Sequence, residues 1–317
     1  MEKLKNCIKY LMLTMLTLCP LAGQSRVNPG DVNNDKSLDV TDVSALINVI
    51  LGKGSAVTVP EACDVDKDGR VDVGDVDMLI YAVLRGQKAY PDVVVPDGSV
   101  AYTVEGVTFY MVPVEGGSFV MSGGGPNHVV TLSDYSIGLT KVTCGLWRAV
   151  MGSDAQNYLT DDQPVTFVSW RQCQHFIDNL NNMTGLQFHL PTDAQWEFAA
   201  KGGTRSQGYT YSGSNDVKAV AWTSSEVQQD IIQDAYRSVL EVGMKLPNEL
   251  GLYDMSCLLP EWIWDTGRIS YADEPATDPL YLEDLPSWGT VRDGIPVTNR
   301  RWRPITSEEF CGLRLAL

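Results

Sequence analysis

The segment FHLPTDAQWEFAAKGG at residues 188–203 contains the clearest local folding signals of the chain. Thr192 precedes DAQWEFAA, and Gln195 follows three residues later, which is the spacing of a capping box at the start of a helix. Gly202 comes shortly after the last helix-forming residue, where a glycine commonly ends a helix. The segment therefore predicts a short helix with its own start and stop signals.

The surrounding sequence indicates a mixed α+β domain over residues 106–317. Ser169 predicts the start of a second helix, with one face formed by Trp170, Cys173, Ile177 and Leu180. Outside these two main helices, short apolar alternations such as VTFYMVPV at 107–114 predict short strands separated by irregular loops.

Two acidic segments precede this domain, DVNNDKSLDVTD at 31–42 and DVDKDGRVDVGD at 64–75. Calcium takes six to eight oxygen ligands, and an EF-hand-like loop supplies them from alternate positions. The predicted ligands of two calcium ions are Asp31, Asn33, Asp35, Ser37, Asp39 and Asp42, and then Asp64, Asp66, Asp68, Arg70 through its carbonyl, Asp72 and Asp75. Lys36 stands where the second loop has Gly69 at a sharp turn, so we expect the first site to be less regular.

Each acidic loop is followed by a helical apolar pattern, and the pattern repeats with the same offset. An NPG sequence before the first loop excludes an entering helix, which leaves a loop-and-exit-helix unit. Residues 27–87 thus resemble a type I dockerin, a small all-α module of secreted bacterial proteins. The resemblance implies a cohesin-like protein or another surface protein as partner. Val40-Thr41 and Val73-Gly74 differ from the usual Ser/Thr recognition pair, and a calcium-stabilised spacer is the alternative reading.

The larger domain resembles the formylglycine-generating enzyme family, also called sulfatase-modifying factors. The resemblance rests on residues 188–203, PNELGLYDM at 247–255 and the terminal GLRLAL at 312–317. It is supported by GGSFVMSGG at 116–124, TKVTCGLWRAVMG at 140–152 and QPVTFVSW at 163–170. It implies a C-type-lectin-like fold with short strands and two main helices.

Catalytic members of that family oxidise a sulfatase cysteine to formylglycine, using two neighbouring cysteines that bind copper(I). Residues 289–311 of this chain contain one cysteine, Cys311, so we expect no copper, assign no catalytic residue and predict that the oxidase chemistry is lost. Cys257 and Cys311 could form a disulfide, remain buried thiols or hold a redox metal. The family's structural calcium near residues 256–265 is also in doubt, because SCLLPEWIWD keeps Glu261 but lacks the usual Gly-Asn.

A ligand surface is predicted from aromatic and guanidinium groups near the C-terminus. Its residues are Trp288, Arg292, Arg300, Arg301, Trp302 and Arg303. They could receive an anionic glycan or peptide; alternatively, the tryptophans are core residues and the arginines pair with acidic side chains of the chain itself. The three histidines, His128, His175 and His189, lack the spacing of metal ligands and are predicted to be packing or surface residues.

The net charge indicates which partners are unfavourable, and the N-terminal sequence indicates where the protein is located. A net charge of −16 argues against nucleic acid and anionic membranes as partners. Residues 1–25 have the pattern of a signal peptide, a basic start followed by a short apolar run, so export to the periplasm, the cell surface or beyond is expected, with no transmembrane segment in the mature chain. Residues 88–105 are predicted to be a linker.

These patterns favour a binding or assembly role at the cell surface. The alternatives are an active copper-dependent oxidase that acts on a sulfatase cysteine, and a calcium-stabilised structural protein.

Overall fold

The computed structural model describes residues 30–53, 62–65, 70–84, 93–122, 127–152, 160–221, 241–257, 259–266, 274–282, 288–292, 296–306, 308 and 310–317. The predicted signal peptide lies outside these residues. No helix in the described part of the chain is both long and apolar enough to cross a membrane.

The described part of the N-terminal module contains two helices that each begin at the end of an acidic loop. Helix α1 spans Val40–Ile50 and helix α2 spans Val73–Leu84. Asp39 caps α1 and forms a capping box with Asp42, so the first loop also starts the helix. A small core lies between the helices and includes the buried side chains of Leu46 and Leu79, which are equivalent in the two repeats. The predicted loop-and-helix repeat is therefore present.

In the described residues, the strands of the larger domain form three small sheets. The first has the order β1-β2-β5, the second β3-β4-β7 and the third β10-β6-β8-β9. The strands are β1 Val100–Val104, β2 Val107–Val114, β3 Gly117–Met121, β4 His128–Leu132, β5 Tyr135–Gly138, β6 Glu261–Thr266, β7 Ala276–Thr277, β8 Trp288–Arg292, β9 Arg300–Pro304 and β10 Gly312–Leu313. Strand β10 returns the end of the chain to β6, with which it pairs in parallel.

The helices of this domain are α3 Cys144–Met151, α4 Trp170–Thr184, α5 Asp193–Ala200 and α6 Val217–Val220, with a 3₁₀ turn at Gly203–Arg205. Both predicted helices are confirmed: Ser169 and Thr192 form capping boxes at the starts of α4 and α5. Helix α3 was not predicted as a helix, although Thr143 caps its start and Gly152 adopts the left-handed conformation at its end. Helices α3 and α4 pack through stacked Trp147 and Phe176, whose ring centroids are 4.9 Å apart.

Two apolar clusters fill the domain, one on either side of β6. Trp262 belongs to the cluster with Trp147 and Phe176, whereas the next residue, Ile263, belongs to the cluster with Trp196. This alternation follows from the period of two in a strand. Because β6 is buried on both faces, its charged residue Glu261 also lies inside the protein.

Residues 93–104 belong to the larger domain, which corrects the predicted linker at 88–105. Val93 and Val95 are buried in the core cluster around Trp196, and the Val94 amide donates to the Tyr253 hydroxyl at 2.8 Å. Strand β1 then pairs with β2 over five residues. Proline and weak helix signals suggested a linker, but alternate burial of Val93 and Val95 makes this segment an extended part of the fold.

A substitution at Gly251 would test how tightly residues 93–96 pack against the larger domain. Gly251 has φ of +82°, and an added Cβ would press against the ring of Pro96. We expect Gly251→Ala to destabilise the protein by about 1–3 kcal/mol more than Gly208→Ala, measured by urea denaturation. Gly208 is the matched control, because it also has positive φ, +71°, and nothing lies within 4 Å of its added Cβ.

Replacing Pro96 by alanine in the Gly251→Ala background should restore part of the loss. Equal losses for the two glycine variants would contradict close packing of residues 93–96.

Candidate functional site

The first acidic loop brings three carboxylates together. Oxygen atoms of Asp31, Asp35 and Asp42 lie within 4.8 Å of one another, and Asp31 and Asp42 are buried. Burial raises the pKa of Asp42, hydrogen bonds from the Asp39 and Asn33 amides lower it in part, and the charges of Asp31 and Asp35 raise it further. A divalent cation would relieve this repulsion, so the donor set fits calcium.

The backbone of this loop folds around the same carboxylates. The Asp35 and Lys36 amides donate to Asp31 at 3.0 and 3.2 Å, and the Ser37 amide donates to Asp35 at 2.8 Å. Lys36 has φ of +65°, the left-handed conformation that glycine adopts more readily. The corresponding residue of the second loop, Gly69, lies outside the described residues, so the expectation that the first loop is the less regular of the two stays a prediction.

The second loop repeats the position of the last carboxylate. Asp75 is buried and accepts the Val65 and Asp72 amides, each at 2.7 Å. Asp42 accepts the Asn33 and Asp39 amides in the corresponding way, at 3.3 and 3.0 Å. Asp64, Arg70 and Asp72 also lie in the described part of this loop, while the predicted ligands Asp66 and Asp68 lie outside it. Ligation by the second loop stays a prediction.

A buried carboxylate, Glu261, occupies the centre of the larger domain. Its oxygens contact the Lys141 ammonium, two nitrogens of the Arg314 guanidinium at 3.1 Å and the Trp196 indole N–H at 2.7 Å. Burial would raise the pKa of Glu261, but the charges of Arg314 and Lys141 outweigh it and lower the pKa to about 2. The carboxylate is therefore ionised and fully engaged by side chains of the chain.

The same contacts bear on the calcium that the family resemblance implies for residues 256–265. Two buried cations already face the single carboxylate of Glu261. Arg314 also donates to the Gly138 and Tyr253 carbonyls at 2.8 and 2.7 Å, so these two carbonyl oxygens are already hydrogen-bonded to a cation. A divalent cation next to Lys141 and Arg314 would be repelled, so these residues do not fit that ion.

A second buried cluster surrounds Arg292. Its guanidinium forms ion pairs with Asp193 and with Glu197, the latter at 2.8 Å, and Lys201 contacts the other oxygen of Glu197 at 2.7 Å. Arg292 is 0% exposed. Its inclusion in the predicted ligand surface is therefore wrong: the side chain joins β8 to helix α5 inside the protein.

Asp265 lies at the edge of this cluster and is nearly unexposed. It accepts the Asp193 amide at 2.7 Å and the Tyr281 amide at 3.1 Å. Burial, with the charge of Asp193 as a second cause, raises the pKa of Asp265 to about 7. The carboxyl thus holds two segments together by accepting backbone hydrogen bonds rather than by pairing with a cation.

The other predicted ligand residues lie on β8 and β9. Trp302 is 36% exposed, Arg301 is exposed and Arg303 is half-buried. Trp288 and Arg300 lie in the same strand pair, although their side chains are outside the described part of the structure. The structure thus separates a buried Arg292 from an exposed group on β9.

None of the five cysteines outside the predicted leader forms a disulfide. Cys173 and Cys311 are buried in the same apolar cluster, and burial, with the nearby Cys311 as a second cause, raises the pKa of Cys173 well above its usual range. Cys257 has different neighbours: burial raises its pKa, the charge of Lys141 lowers it in part, and the charges of Asp254 and Glu261 raise it further. Copper(I) is bound by thiolates, and a thiol whose pKa is raised by burial, as at Cys173, supplies a thiolate less readily, so the pair of Cys173 and Cys311 does not fit the copper site that the resemblance implies.

The histidines do not converge. His128 lies on β4, His175 is exposed on α4, and His189 stacks on Trp264 with ring centroids 4.4 Å apart. Among the described residues, Asp31, Asp35 and Asp42 are the only group of three or more His, Cys, Asp or Glu side chains close enough to share an ion.

Sequence reasoning missed the two buried ionic clusters. Lys141, Glu261 and Arg314 each stand within a mainly apolar stretch, which was the available signal. The pairing itself could not be read, since the partners of Glu261 are 53 to 120 residues away.

Comparison with known proteins matches each of the two parts of the chain to a known domain family. Residues 93–317 match the description "Sulfatase-modifying factor enzyme 1-like domain", and residues 29–84 match "Dockerin type I domain". The chain is 31% identical to the chaperone protein LppX of Paenibacillus barcinonensis, over 49% of this chain and 71% of that protein. In structure it resembles Treponema denticola variable protein 1, with a TM-score of 0.58, 27% identity and coverage of 70% of this chain and 99% of that one.

Two bovine relatives are similar to about the same degree. The formylglycine-generating enzyme of Bos taurus is 26% identical over 42% of this chain and 35% of the relative. The inactive C-alpha-formylglycine-generating enzyme 2 of the same species is 27% identical over 47% and 46%. The chain thus spans less than half the length of either relative.

Glu261 provides a test of the central ion cluster. Its pKa is lowered from 4.5 to about 2, so its stabilising effect is complete above pH 4.5 and is lost as the pH falls towards 2. We expect Glu261→Gln to cost about 3–5 kcal/mol at pH 7, because two buried cations lose their counter-ion. By denaturant titration at several pH values, this deficit should shrink by about 3 kcal/mol between pH 5 and 2.

Glu105→Gln removes the same charge from an exposed turn and serves as the control. A deficit that stays constant between pH 5 and 2 would mean that Arg314 and Lys141 do not lower the pKa of Glu261.

Proposed function

The chain belongs to the sulfatase-modifying factor enzyme 1-like family, and we propose that its family domain binds a protein or another ligand at the cell surface without oxidising it. The dockerin domain would attach the protein to a partner when its loops hold calcium. The observation that carries the non-catalytic role is that residues 289–311 contain a single cysteine, Cys311, which is buried in an apolar cluster together with Cys173.

The relatives agree with a binding role. Similarity is about equal to an active and an inactive formylglycine-generating enzyme, so identity alone does not indicate catalysis. LppX carries the name of a chaperone protein, a class that acts by binding other proteins. A binding role also agrees with the centre of the domain, where the buried charged side chains are paired with one another.

The alternative is a copper-dependent oxidase acting on a sulfatase cysteine. The observation in its favour is the proximity of Cys173 and Cys311. To bind copper(I), the two thiols would have to lose their protons inside an apolar cluster, which is unfavourable.

The attachment surface is proposed from exposed apolar residues at equivalent positions of the two repeats. Val40 and Val73 are 67% and 65% exposed, and Ile47 and Ile80, about two turns further along the same face of each helix, are each 39% exposed. Because 40 and 47 correspond to 73 and 80, each helix presents the same stripe, which we call the docking stripe. Two equivalent apolar stripes beside calcium loops suit a cohesin domain as partner.

Metal content and activity test the non-catalytic role. After dialysis of the full chain from calcium and copper(I), elemental mass spectrometry should find about two calcium ions and no copper. A cysteine-containing sulfatase peptide should remain unoxidised. Asp42→Ala and Asp75→Ala should each remove one calcium ion.

Stoichiometric copper would overturn the proposal if it were lost in Cys173→Ser or Cys311→Ser, kept in Cys144→Ser and accompanied by aldehyde formation in the peptide. Cys144 is the matched control, because it is a buried cysteine of the same apolar cluster.

Variants of the docking stripes test attachment. Binding would be measured with immobilised type I cohesin domains in the presence of calcium. Val40→Asp or Val73→Asp alone should weaken binding about twofold, because the docking stripe on the other helix can still bind the cohesin. The double variant should abolish binding, and so should EGTA. Val120→Asp is the control, because Val120 is an exposed valine of β3 in the other domain. Binding that is unaffected by the double variant would contradict a role for the stripes.

A further inference from the structure

Strand β9 forms one edge of the four-stranded sheet β10-β6-β8-β9 in the described part of the chain. It pairs with β8 along its whole length, from Trp288 opposite Pro304 to Arg292 opposite Arg300. A strand can form hydrogen bonds with a neighbour on each side. The side of β9 that faces away from β8 is therefore the position at which another strand could be added.

The strand next to this edge is firmly held. Thr290 and Val291 of β8 are buried, and Arg292 is tied to helix α5 by its ion pairs with Asp193 and Glu197. A rigid edge is a better template for an added strand, because little ordering of the sheet is needed on binding.

The composition of the edge indicates which strand could add to it. Residues 300–304 read RRWRP and carry a charge of +3, whereas the whole chain carries −16. Two copies of β9 would repel each other, so the charge protects the edge against self-pairing. A guanidinium has five N–H donors, so Arg301 and Arg303 can pair with carboxylates of an added acidic strand in addition to the contacts that they make within the chain.

We propose that β9 receives an extended acidic segment of a partner protein by strand addition; this inference rests on the binding role proposed above. Side chains alternate along a strand, so Trp302 would cover one face of the added segment, and Arg301 and Arg303 would meet carboxylates on the other. The surface thus combines backbone hydrogen bonds, one aromatic contact and charge pairs.

The test uses the calcium-loaded full chain and a fluorescein-labelled peptide of four Glu-Thr repeats. This peptide should bind, and binding should slow hydrogen exchange of the β9 amides. A peptide of the same sequence with alternate backbone amides N-methylated keeps its charge but cannot extend the sheet, and it should bind at least about tenfold more weakly. A peptide of four Lys-Thr repeats should not bind.

The variant Arg301→Glu with Arg303→Glu should weaken binding of the acidic peptide at least about tenfold and should allow the Lys-Thr peptide to bind. The control, Arg205→Glu with Lys218→Glu, makes the same change in net charge at exposed residues of the 3₁₀ turn and α6 and should leave binding unchanged. Trp302→Ala, which changes no charge, should weaken binding even if the double arginine variant does not fold.

Equal binding of the N-methylated peptide, or displacement of the acidic peptide by a sulfated oligosaccharide without protection of β9 amides, would show a charged patch rather than a strand acceptor. Absence of peptide binding would likewise refute this inference. Neither result would refute the broader binding role, which fails instead if copper and aldehyde are found in the metal experiment.

Discussion

The larger domain depends on neutralising one buried carboxylate, Glu261. A carboxylate without a counter-ion inside a protein is strongly unfavourable, so β6 can be buried on both faces only if cations come to it. Lys141 reaches it from the loop before α3, Arg314 from the C-terminal segment and Trp196 from helix α5. One charge therefore ties together four parts of the chain that are far apart in sequence.

Helix α5 connects this cluster to the second one. Trp196 contacts Glu261, and its neighbour Glu197 pairs with Arg292 of β8 and with Lys201. Arg292 also lies over the Trp196 ring, with its guanidinium carbon 5.7 Å from the ring centroid. The two clusters thus meet at helix α5, where neighbouring side chains contact Glu261 on one side and Arg292 on the other.

Several elements could be predicted because their signals are local. The starts of α4 and α5 follow from capping boxes whose two residues are three positions apart, and the cluster of Asp31, Asp35 and Asp42 follows from oxygen-bearing residues at alternate positions of the first acidic loop. Helix α3 was missed although Thr143 and Gly152 mark its ends. The linker prediction was wrong for a different reason. Val93 and Val95 are buried by a core built from distant parts of the chain, so their burial could not be predicted from the local sequence.

The sequence by itself determined the order of the two modules, the repeated loop-and-helix unit and the family of the larger domain, because spacing and capping act within a few residues. Only the tertiary structure decided which charged residues are buried and which are exposed. Arg292 and Arg301 are chemically alike and nine residues apart in sequence, yet one is buried between Asp193 and Glu197 and the other is exposed on an edge strand. Burial depends on which distant segments fold over a residue, and no local pattern reports that.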